Sequence, residues 1–344
     1  MLTAIAGGAL FAWLVWRVGP AEIWGGFHKI GWGFAGILVL GGLRFAARAA
    51  AWSLCVEPPH RLRFADAFNA VVCGDTIGNV TPLGPIVGEP AKIACVRGRL
   101  PLGVALTALA IENVVYTLSV AAMIAAGAIA LLYVSRAGLQ TGSVTLPGHL
   151  RELSEVAVAG VFLMFAAAGW LLWRRPAVIS RWLPVGDGRD VSQVPSPIER
   201  LRSIESEMYT FAARRRGALV PLAALELGFH ALGVAEKHLT LTLILGQPPT
   251  LLTSFIIETA DRLVTVAFKF VPFQVGVGEL GGGLITQLLG LGTAPGVTLQ
   301  VVRKARMAVW SLAGTALLVR QGLNARRIPE DTDADADIKP PAGR

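Results

Sequence analysis

The chain has 344 residues, of which 53% are hydrophobic and only 16% are charged, and its mean hydropathy is +0.58. A water-soluble domain carries about 25% charged residues, so this composition excludes an ordinary soluble protein and indicates that lipid surrounds most of the chain. The net charge of +8 comes from basic residues between apolar blocks, which is typical of topology signals rather than of nucleic-acid binding. The three cysteines lack CxxC spacing and predict neither a disulfide nor a metal site.

Six apolar stretches are long enough to cross a bilayer, which takes about 20 residues of helix. They lie at about 2–18, 31–55, 102–134, 154–173, 217–245 and 296–319. The first stretch has no basic residues before its apolar part, unlike a secretory signal, so we predict that it is a retained span. The sequence therefore predicts an all-α polytopic membrane protein with about six transmembrane helices.

Two further apolar stretches, 66–96 and 251–290, are interrupted by residues that break helices. The predicted breaks contain Pro82, Gly84, Pro85, Gly88, Pro272, Gly276, Gly278 and 281–283. Proline removes a backbone donor and clashes with the preceding turn, so neither stretch is expected to form one continuous helix. We predict two re-entrant helical hairpins, whose turns lie inside the bundle because lipid cannot satisfy their backbone groups. Eight full spans are the alternative.

Basic residues in the loops indicate which side faces the cytoplasm. Loop 174–216 holds nine arginines, so the positive-inside rule makes it a cytoplasmic linker. Alternation from there puts the other basic clusters and both termini on the same side only if both hairpins are re-entrant. Repeat one, at about 31–134, and repeat two, at about 217–319, then form an inverted repeat, in which transporters place substrates near the midplane.

The linker and the C-terminal tail differ from the apolar segments. Ser196, Pro197 and Glu199 have the pattern of a capped helix start, and we predict a helix from there to about residue 213 on the inner membrane surface. The tail at 323–344 is acidic and rich in proline, which predicts disorder.

Ionisable residues cluster in and beside the two hairpins, although each costs about 2.5–3.5 kcal/mol at the bilayer centre on insertion scales. The candidate substrate-binding residues are Arg44, Arg48, Glu89, Lys92, Glu112, Glu258, Arg262, Glu279 and Arg303. Internal ion pairs that pin irregular helices are one account of them. The number of charges favours the other, a wet cavity that holds a charged head group while the acyl tails stay in lipid. Arg44, Arg48 and Arg303 are predicted to contact phosphate, because guanidinium binds it bidentately.

The acidic candidates allow more than one role. Glu89 and Glu279 share the spacing Pro-x5-Gly-Glu. They could contact a cationic part of the head group, take part in proton coupling, or hold a hairpin turn through backbone N–H groups. Glu226 and His230 lie one helical turn apart; a hydrogen-bonded structural pair is favoured over a metal site or a proton relay.

Several catalytic motifs are absent from the sequence. It contains no GxxxxGK[ST], HExxH or GxSxG. We therefore expect no enzyme activity, no cofactor and no metal, and any transport would run without ATP hydrolysis.

Several segments together carry a family resemblance. They are residues 43–52, 78–82 and 88–92, then Pro272, 276–279 and Arg303. Their order and spacing resemble the lysylphosphatidylglycerol synthase transmembrane-region family, also called flippase-like domain proteins, over about 1–322. The resemblance implies a flippase-like lipid translocase in a bacterial inner membrane, with re-entrant helices. The amphiphile it implies has a charged head group and is a phospholipid, an aminoacylated lipid, or a polyprenyl-linked or hopanoid-type lipid.

The chain also departs from the family pattern. The Pro-to-Gly-Glu spacing of the first hairpin is longer than the common form, and Phe273-Gln274 stands where glycines are common. The lipid identity is therefore not carried over from the resemblance. Only a short tail follows residue 322, so we expect no lipid-aminoacylating domain.

Two other hypotheses stay open. One is a non-catalytic membrane subunit that scaffolds a lipid-modifying or glycosyl-transferring enzyme. The other is a membrane-embedded enzyme that acts on head groups through Glu226, His230 and Glu236. Besides membrane lipid, the partners considered are a lipid-modifying enzyme and a second copy of the chain in a homodimer, with no nucleic acid.

Overall fold

The computed structural model describes residues 16, 20–81, 84–137, 148–174 and 197–325, and these residues form an all-helical bundle. Its helices are α1 (Pro20–Ile30), α2 (Gly33–Cys55), α3 (Phe64–Val80), α4 (Gly84–Cys95), α5 (Leu102–Ala137), α6 (Gly148–Arg174), α7 (Pro197–Arg214), α8 (Arg216–Leu245), α9 (Leu251–Ala267), α10 (Val277–Leu288) and α11 (Thr293–Ala325). A short 3-10 turn, Pro272–Gln274, separates α9 from α10. The predicted span at 2–18 lies almost wholly outside the described residues. So does most of the tail predicted at 323–344, whose first residues continue α11.

Three of the described helices are long and apolar enough to cross a membrane, at Gly33–Cys55, Leu102–Ser135 and Arg216–Leu245. They coincide with the spans predicted at 31–55, 102–134 and 217–245. The spans predicted at 154–173 and 296–319 lie within α6 and α11. The apolar part of α6 is shorter, and three buried or half-buried cations interrupt the apolar sequence of α11.

Helix α6 presents apolar side chains to the outside of the bundle. Phe162, Leu163 and Trp170 on this helix are all more than half exposed. In water such a surface would be unfavourable, whereas in a bilayer it contacts acyl chains of the same polarity. The chain is thus a helical membrane protein.

Apolar packing forms two separate clusters, and the long helices pass through both. The first cluster includes Trp52 of α2 and Leu222 of α8, and the second includes Ile37 of α2 and Leu241 of α8. Helix α2 therefore runs from the second cluster to the first, and α8 runs the opposite way. The buried charges of both helices lie between the clusters, so the ionisable groups occupy the middle of the bundle.

The helices fall into two units with the same order of lengths. In the first unit, α2 to α5 have 23, 17, 12 and 36 residues, and in the second, α8 to α11 have 30, 17, 12 and 33. Helices α2 and α8 pack on each other across the units. Helix α3 packs on α11, and α9 packs on α5, so the cross-unit contacts also correspond.

The two broken stretches are pairs of short helices. The arms α3 and α4 pack on each other, as do α9 and α10. At about 1.5 Å of rise per residue, arms of this length extend about 25 Å and 18 Å, less than the roughly 30 Å of a hydrocarbon core. The predicted breaks therefore occur, although Pro82 itself lies outside the described residues.

The turns are shorter than the sequence predicted. Gly84 begins α4, while Gly88 and Gly278 lie inside α4 and α10, so their assignment to the turns was wrong. The same applies to residues 281–283, which are helical. These glycines permit close packing instead, because they lack a Cβ.

Glycines bring the arms of the first hairpin into backbone contact. A Cβ built at Gly88 would lie 2.8 Å from the carbonyl oxygen of Gly74, and one at Gly84 would lie 2.7 Å from that of Gly78. In the second hairpin, a Cβ at Gly282 would lie 2.9 Å from the carbonyl oxygen of Gly296 in α11. Small residues let helices approach closely where lipid supplies no hydrophobic driving force.

Gly88→Ala should lower the stability of the bundle by about 1–3 kcal/mol, because overpacking forces the two backbones apart. The matched control is Gly228→Ala in α8, where a Cβ meets nothing within 4 Å. The control should be neutral or stabilising by up to about 1 kcal/mol. Thermal unfolding in detergent measures both; equal melting temperatures for the two variants would contradict the backbone contact.

Candidate functional site

A cavity of about 330 Å³ lies between the two hairpins and the long helices α2, α5, α8 and α11. Seven of its lining side chains are cationic: Arg44, Arg48, Lys92, Arg262, Lys269, Arg303 and Arg306. Two are carboxylates, Asp75 and Glu89. Lys269 is exposed, so the cavity reaches the surface of the bundle there.

The counter-charges of the cavity arginines lie behind them, outside the lining. The Glu236 carboxylate is 3.1 Å from Arg44 Nη1 and 2.9 Å from Arg306 Nε. The Glu258 carboxylate accepts hydrogen bonds from Arg262 Nε at 2.9 Å and Nη2 at 2.8 Å. Neither glutamate lines the cavity. The charges are therefore layered, with cations toward the cavity and carboxylates on their far side.

Asp261 is the most connected of these carboxylates. It accepts hydrogen bonds from Arg303 Nη1 at 2.7 Å and Gln300 Nε2 at 2.9 Å, and it is 3.0 Å from Lys237 Nζ. Arg303 also donates to the side chains of Gln274 and Thr265, each at 3.1 Å. These bonds fix the guanidinium of Arg303 in one orientation beside the turn of the second hairpin.

The side of the cavity near the first hairpin has its own set of bonds. Arg48 donates to Glu112 at 3.0 Å and to Asn113 at 3.3 Å. Glu89 accepts from Lys92 at 2.8 Å and from Asn113 at 3.1 Å. Glu89 and Lys92 are three residues apart on α4, so they lie on the same face of that helix.

The two glutamates of the Pro-x5-Gly-Glu pattern differ in role. Glu279 is fully buried, pairs with Lys304, and accepts a hydrogen bond from the backbone N–H of Gly276 at 2.8 Å. It therefore holds the turn of the second hairpin, one of the roles left open by the sequence. Glu89 bonds only to side chains, lies in the cavity wall and remains a third exposed.

Aromatic rings complete the cavity wall beside the arginines. The guanidinium of Arg48 lies 3.8 Å from the ring centroid of Tyr116. Phe229 has Arg44 at 4.6 Å and Arg262 at 5.1 Å from its ring centroid. These separations are within the roughly 6 Å of cation–π attraction, so the rings stabilise the arginines without neutralising them.

A family model described as lysylphosphatidylglycerol synthase TM region matches residues 1–314. The chain belongs to this family. Membership makes it a membrane protein related to lipid handling. Searches of curated proteins and of solved structures find no match.

In this family member the predicted site residues divide into two groups. Arg44, Arg48, Glu89, Lys92, Arg262 and Arg303 line the cavity together. Glu112, Glu258 and Glu279 do not line it, and each pairs with a cation. The sequence showed that all these charges needed partners, but it could not distinguish the cavity surface from the layer behind it.

The sequence interpretation missed several lining residues. Asp75, Asn79, Asn113, Tyr116, Phe229 and Gln274 all lie in the wall, and Arg306 was not selected from the charges of α11. Charge at mid-membrane depth identifies neither amides nor aromatic rings, and it does not distinguish Asp75 and Arg306 from charges outside the cavity. Two of these residues could have been found from the sequence. Asn113 directly follows the candidate Glu112, and Gln274 lies in the helix break that begins at Pro272.

Glu226 and His230 do not form the hydrogen-bonded pair that we favoured. His230 Nε2 lies 3.0 Å from the Ser119 hydroxyl, and the Glu226 carboxyl oxygens have no hydrogen-bond partner among the described residues. A helical spacing of four brings the side chains to one face but does not orient them toward each other. Within the described ranges, no group of three or more potential ligands suits a metal ion.

Glu236→Gln should lower the free energy of unfolding of this protein by about 3–5 kcal/mol, because it leaves Arg44 and Arg306 without their shared counter-charge. Glu89→Gln is the matched comparison, since its carboxylate is a third exposed and should matter much less. Thermal unfolding in detergent separates them. A Glu236→Gln protein that melts with the wild type would contradict the layered arrangement.

Proposed function

We propose that this family member is a lipid translocase that takes the charged head group of an amphiphile into its cavity and passes it between leaflets. The observation that carries the proposal is the excess of cations on the cavity surface, with their carboxylates held behind. Such a surface favours an anionic group without leaving buried charge unpaired when it is empty. The acyl tails would remain in lipid, beside the apolar exterior.

The chemistry of the wall supports a phosphate-bearing head group. Guanidinium groups bind phosphate oxygens in pairs, and Arg44, Arg262 and Arg303 already have fixed orientations. Asp75 and Glu89, also in the wall, offer carboxylates to a cationic or hydroxylated part of the same head group. The volume falls within the roughly 300–1,000 Å³ of small-molecule sites.

We further propose that the two units form an inverted repeat around two re-entrant hairpins. The opposite directions of α2 and α8 and the matching order of helix lengths support this arrangement. The positive-inside rule favours cytoplasmic termini, with the chain in a bacterial inner membrane. Inverted repeats allow a central site to face each side in turn.

The proposed transport involves no chemical change of the lipid. It also involves no ATP hydrolysis, since the sequence lacks a P-loop. The scaffolding role remains the alternative. A subunit that only holds another enzyme does not require a cation-lined cavity at mid-membrane, where charges are unfavourable.

Arg303→Gln should slow lipid transfer by at least about tenfold, because a bond to a charged group contributes about 1.5–3 kcal/mol. The substitution leaves Asp261 paired with Lys237, so the bundle should still fold. Arg320→Gln, at the exposed end of α11, is the matched control and should transfer lipid normally. The measurement is leaflet exchange of head-group-labelled phosphatidylglycerol in proteoliposomes.

The same assay separates the competing functions. Transfer of unaltered lipid supports translocation, whereas a modified head group would indicate an enzyme. Activity that appears only when a partner enzyme is added would indicate a scaffold. Normal transfer by the Arg303→Gln protein would contradict the proposal that the lipid head group binds in the cavity.

Single cysteines placed at both ends of a hairpin should react with a membrane-impermeant reagent from the same side. Suitable pairs are His60→Cys with Pro101→Cys for the first hairpin and Gln247→Cys with Ala294→Cys for the second. Cys55, Cys73 and Cys95 are first replaced by alanine. Labelling of the two ends of a hairpin from opposite sides would show that it spans the membrane and would rule out the re-entrant layout.

A further inference from the structure

Glu226 is a buried carboxyl group that the proposed transport site does not use. Its side chain is 1% exposed, and neither of its oxygens has a hydrogen-bond partner among the described residues. The other buried glutamates differ, because Glu112, Glu236, Glu258 and Glu279 each lie against a lysine or an arginine. Glu226 is therefore exceptional among them in having neither a donor nor an ion-pair partner.

The groups around Glu226 connect it to the cavity. Among the described residues, the charges that act on it are those of Arg48, Glu112 and Lys92. Arg48 and Lys92 are both in the cavity wall. Tyr116 in α5 and Cys55 in α2 also lie within its electrostatic reach. Its own helix contributes His230, one turn away.

His230 is held in a way that does not neutralise Glu226. Its Nε2 atom contacts Ser119, its Nδ1 atom has no hydrogen-bond partner among the described residues, and its ring stacks on Tyr116 with an interplanar angle of 13°. Tyr116 is itself part of the cavity wall. His230 thus lies directly behind one ring of the cavity wall.

The charge balance near Arg48 makes the state of Glu226 depend on what the cavity holds. Glu112 already neutralises Arg48, at 3.0 Å. In the empty cavity the positive charges of Arg48 and Lys92 favour an ionised Glu226, whereas its burial and the charge of Glu112 oppose it. A phosphate beside Arg48 would add a third negative charge and disfavour ionisation further.

We propose that Glu226 is a proton-binding site coupled to the occupancy of the cavity. When an anionic head group enters beside Arg48, a proton passes from water in the cavity to a Glu226 carboxyl oxygen, and it returns to water when the head group leaves. The inference rests on the proposed function, because it assigns a co-transported ion to the same site. Head group and proton then cross together, and a proton gradient can drive the lipid.

Coupling of this kind is reciprocal. If the bound anion favours the proton, the bound proton favours the anion by the same factor. Binding of a lipid whose own charge is constant must therefore strengthen as the pH falls. A phosphodiester such as phosphatidylglycerol meets this condition, because its phosphate keeps one negative charge over the whole range tested.

The experiment measures binding of dihexanoyl-phosphatidylglycerol to the full chain in detergent by calorimetry at pH 6 and pH 8. The affinity of the wild type for this lipid should be at least about fivefold higher at pH 6 than at pH 8. Because one proton is linked to binding, the affinity can change by at most about tenfold per pH unit. Glu226→Gln imitates the protonated side chain, so it should bind equally at both pH values, with the wild-type affinity of pH 6. His230→Asn should keep the wild-type response. Glu207→Gln in α7 is the matched control, because this carboxylate is exposed, bonds to Thr107 and does not line the cavity.

Proton uptake by the wild type is a second measurement that needs no variant. In weak buffer with a pH dye, lipid binding should remove protons from solution, approaching one per lipid bound. No uptake, an unchanged pH response in Glu226→Gln, or loss of the response only in His230→Asn would each overturn the inference. The proposed function would survive these results if lipid still bound, whereas absence of binding at both pH values would overturn both proposals.

Discussion

The buried arginines around the cavity are neutralised from behind its wall, and the arrangement of the cavity depends on that constraint. Asp261, Glu236 and Glu258 approach their lysine and arginine partners from behind the cavity wall. If they lined the cavity instead, the excess of cations on its surface would be much smaller and would favour an anion less. If they were absent, the arginines would be too unfavourable to bury. The layering satisfies both requirements at mid-membrane.

The helix breaks and the glycines bring that layer together. Helices α3 and α4 approach closely at Gly74, Gly78, Gly84 and Gly88, and α3 also packs on α2. In the second hairpin, Glu279 closes the turn that places Gln274 against Arg303. Backbone that is not helical thus lies against protein and polar side chains, as the bilayer interior requires.

The sequence predicted the main features of this fold because lipid imposes strong and simple rules. Apolar length located α2, α5 and α8, and proline located both breaks. It could not predict which charges pair, because partners such as Arg44 and Glu236 are 192 residues apart. Gly88 and Gly278 were assigned to turns because a glycine that breaks a helix and one that permits close packing look identical in a single sequence.

The number of partners per carboxylate makes the two halves of the cavity unequally robust. Asp261 and Glu236 each serve more than one cation, so a substitution of one arginine leaves the carboxylate still engaged. Arg48 and Glu112, by contrast, form a pair in which neither ion has another oppositely charged contact among the described residues. Loss of one cation from either of those carboxylates therefore leaves no buried anion unpaired. Near the first hairpin, loss of Arg48 or of Glu112 leaves the other ion buried without a counter-charge, so the two charges can be removed safely only together.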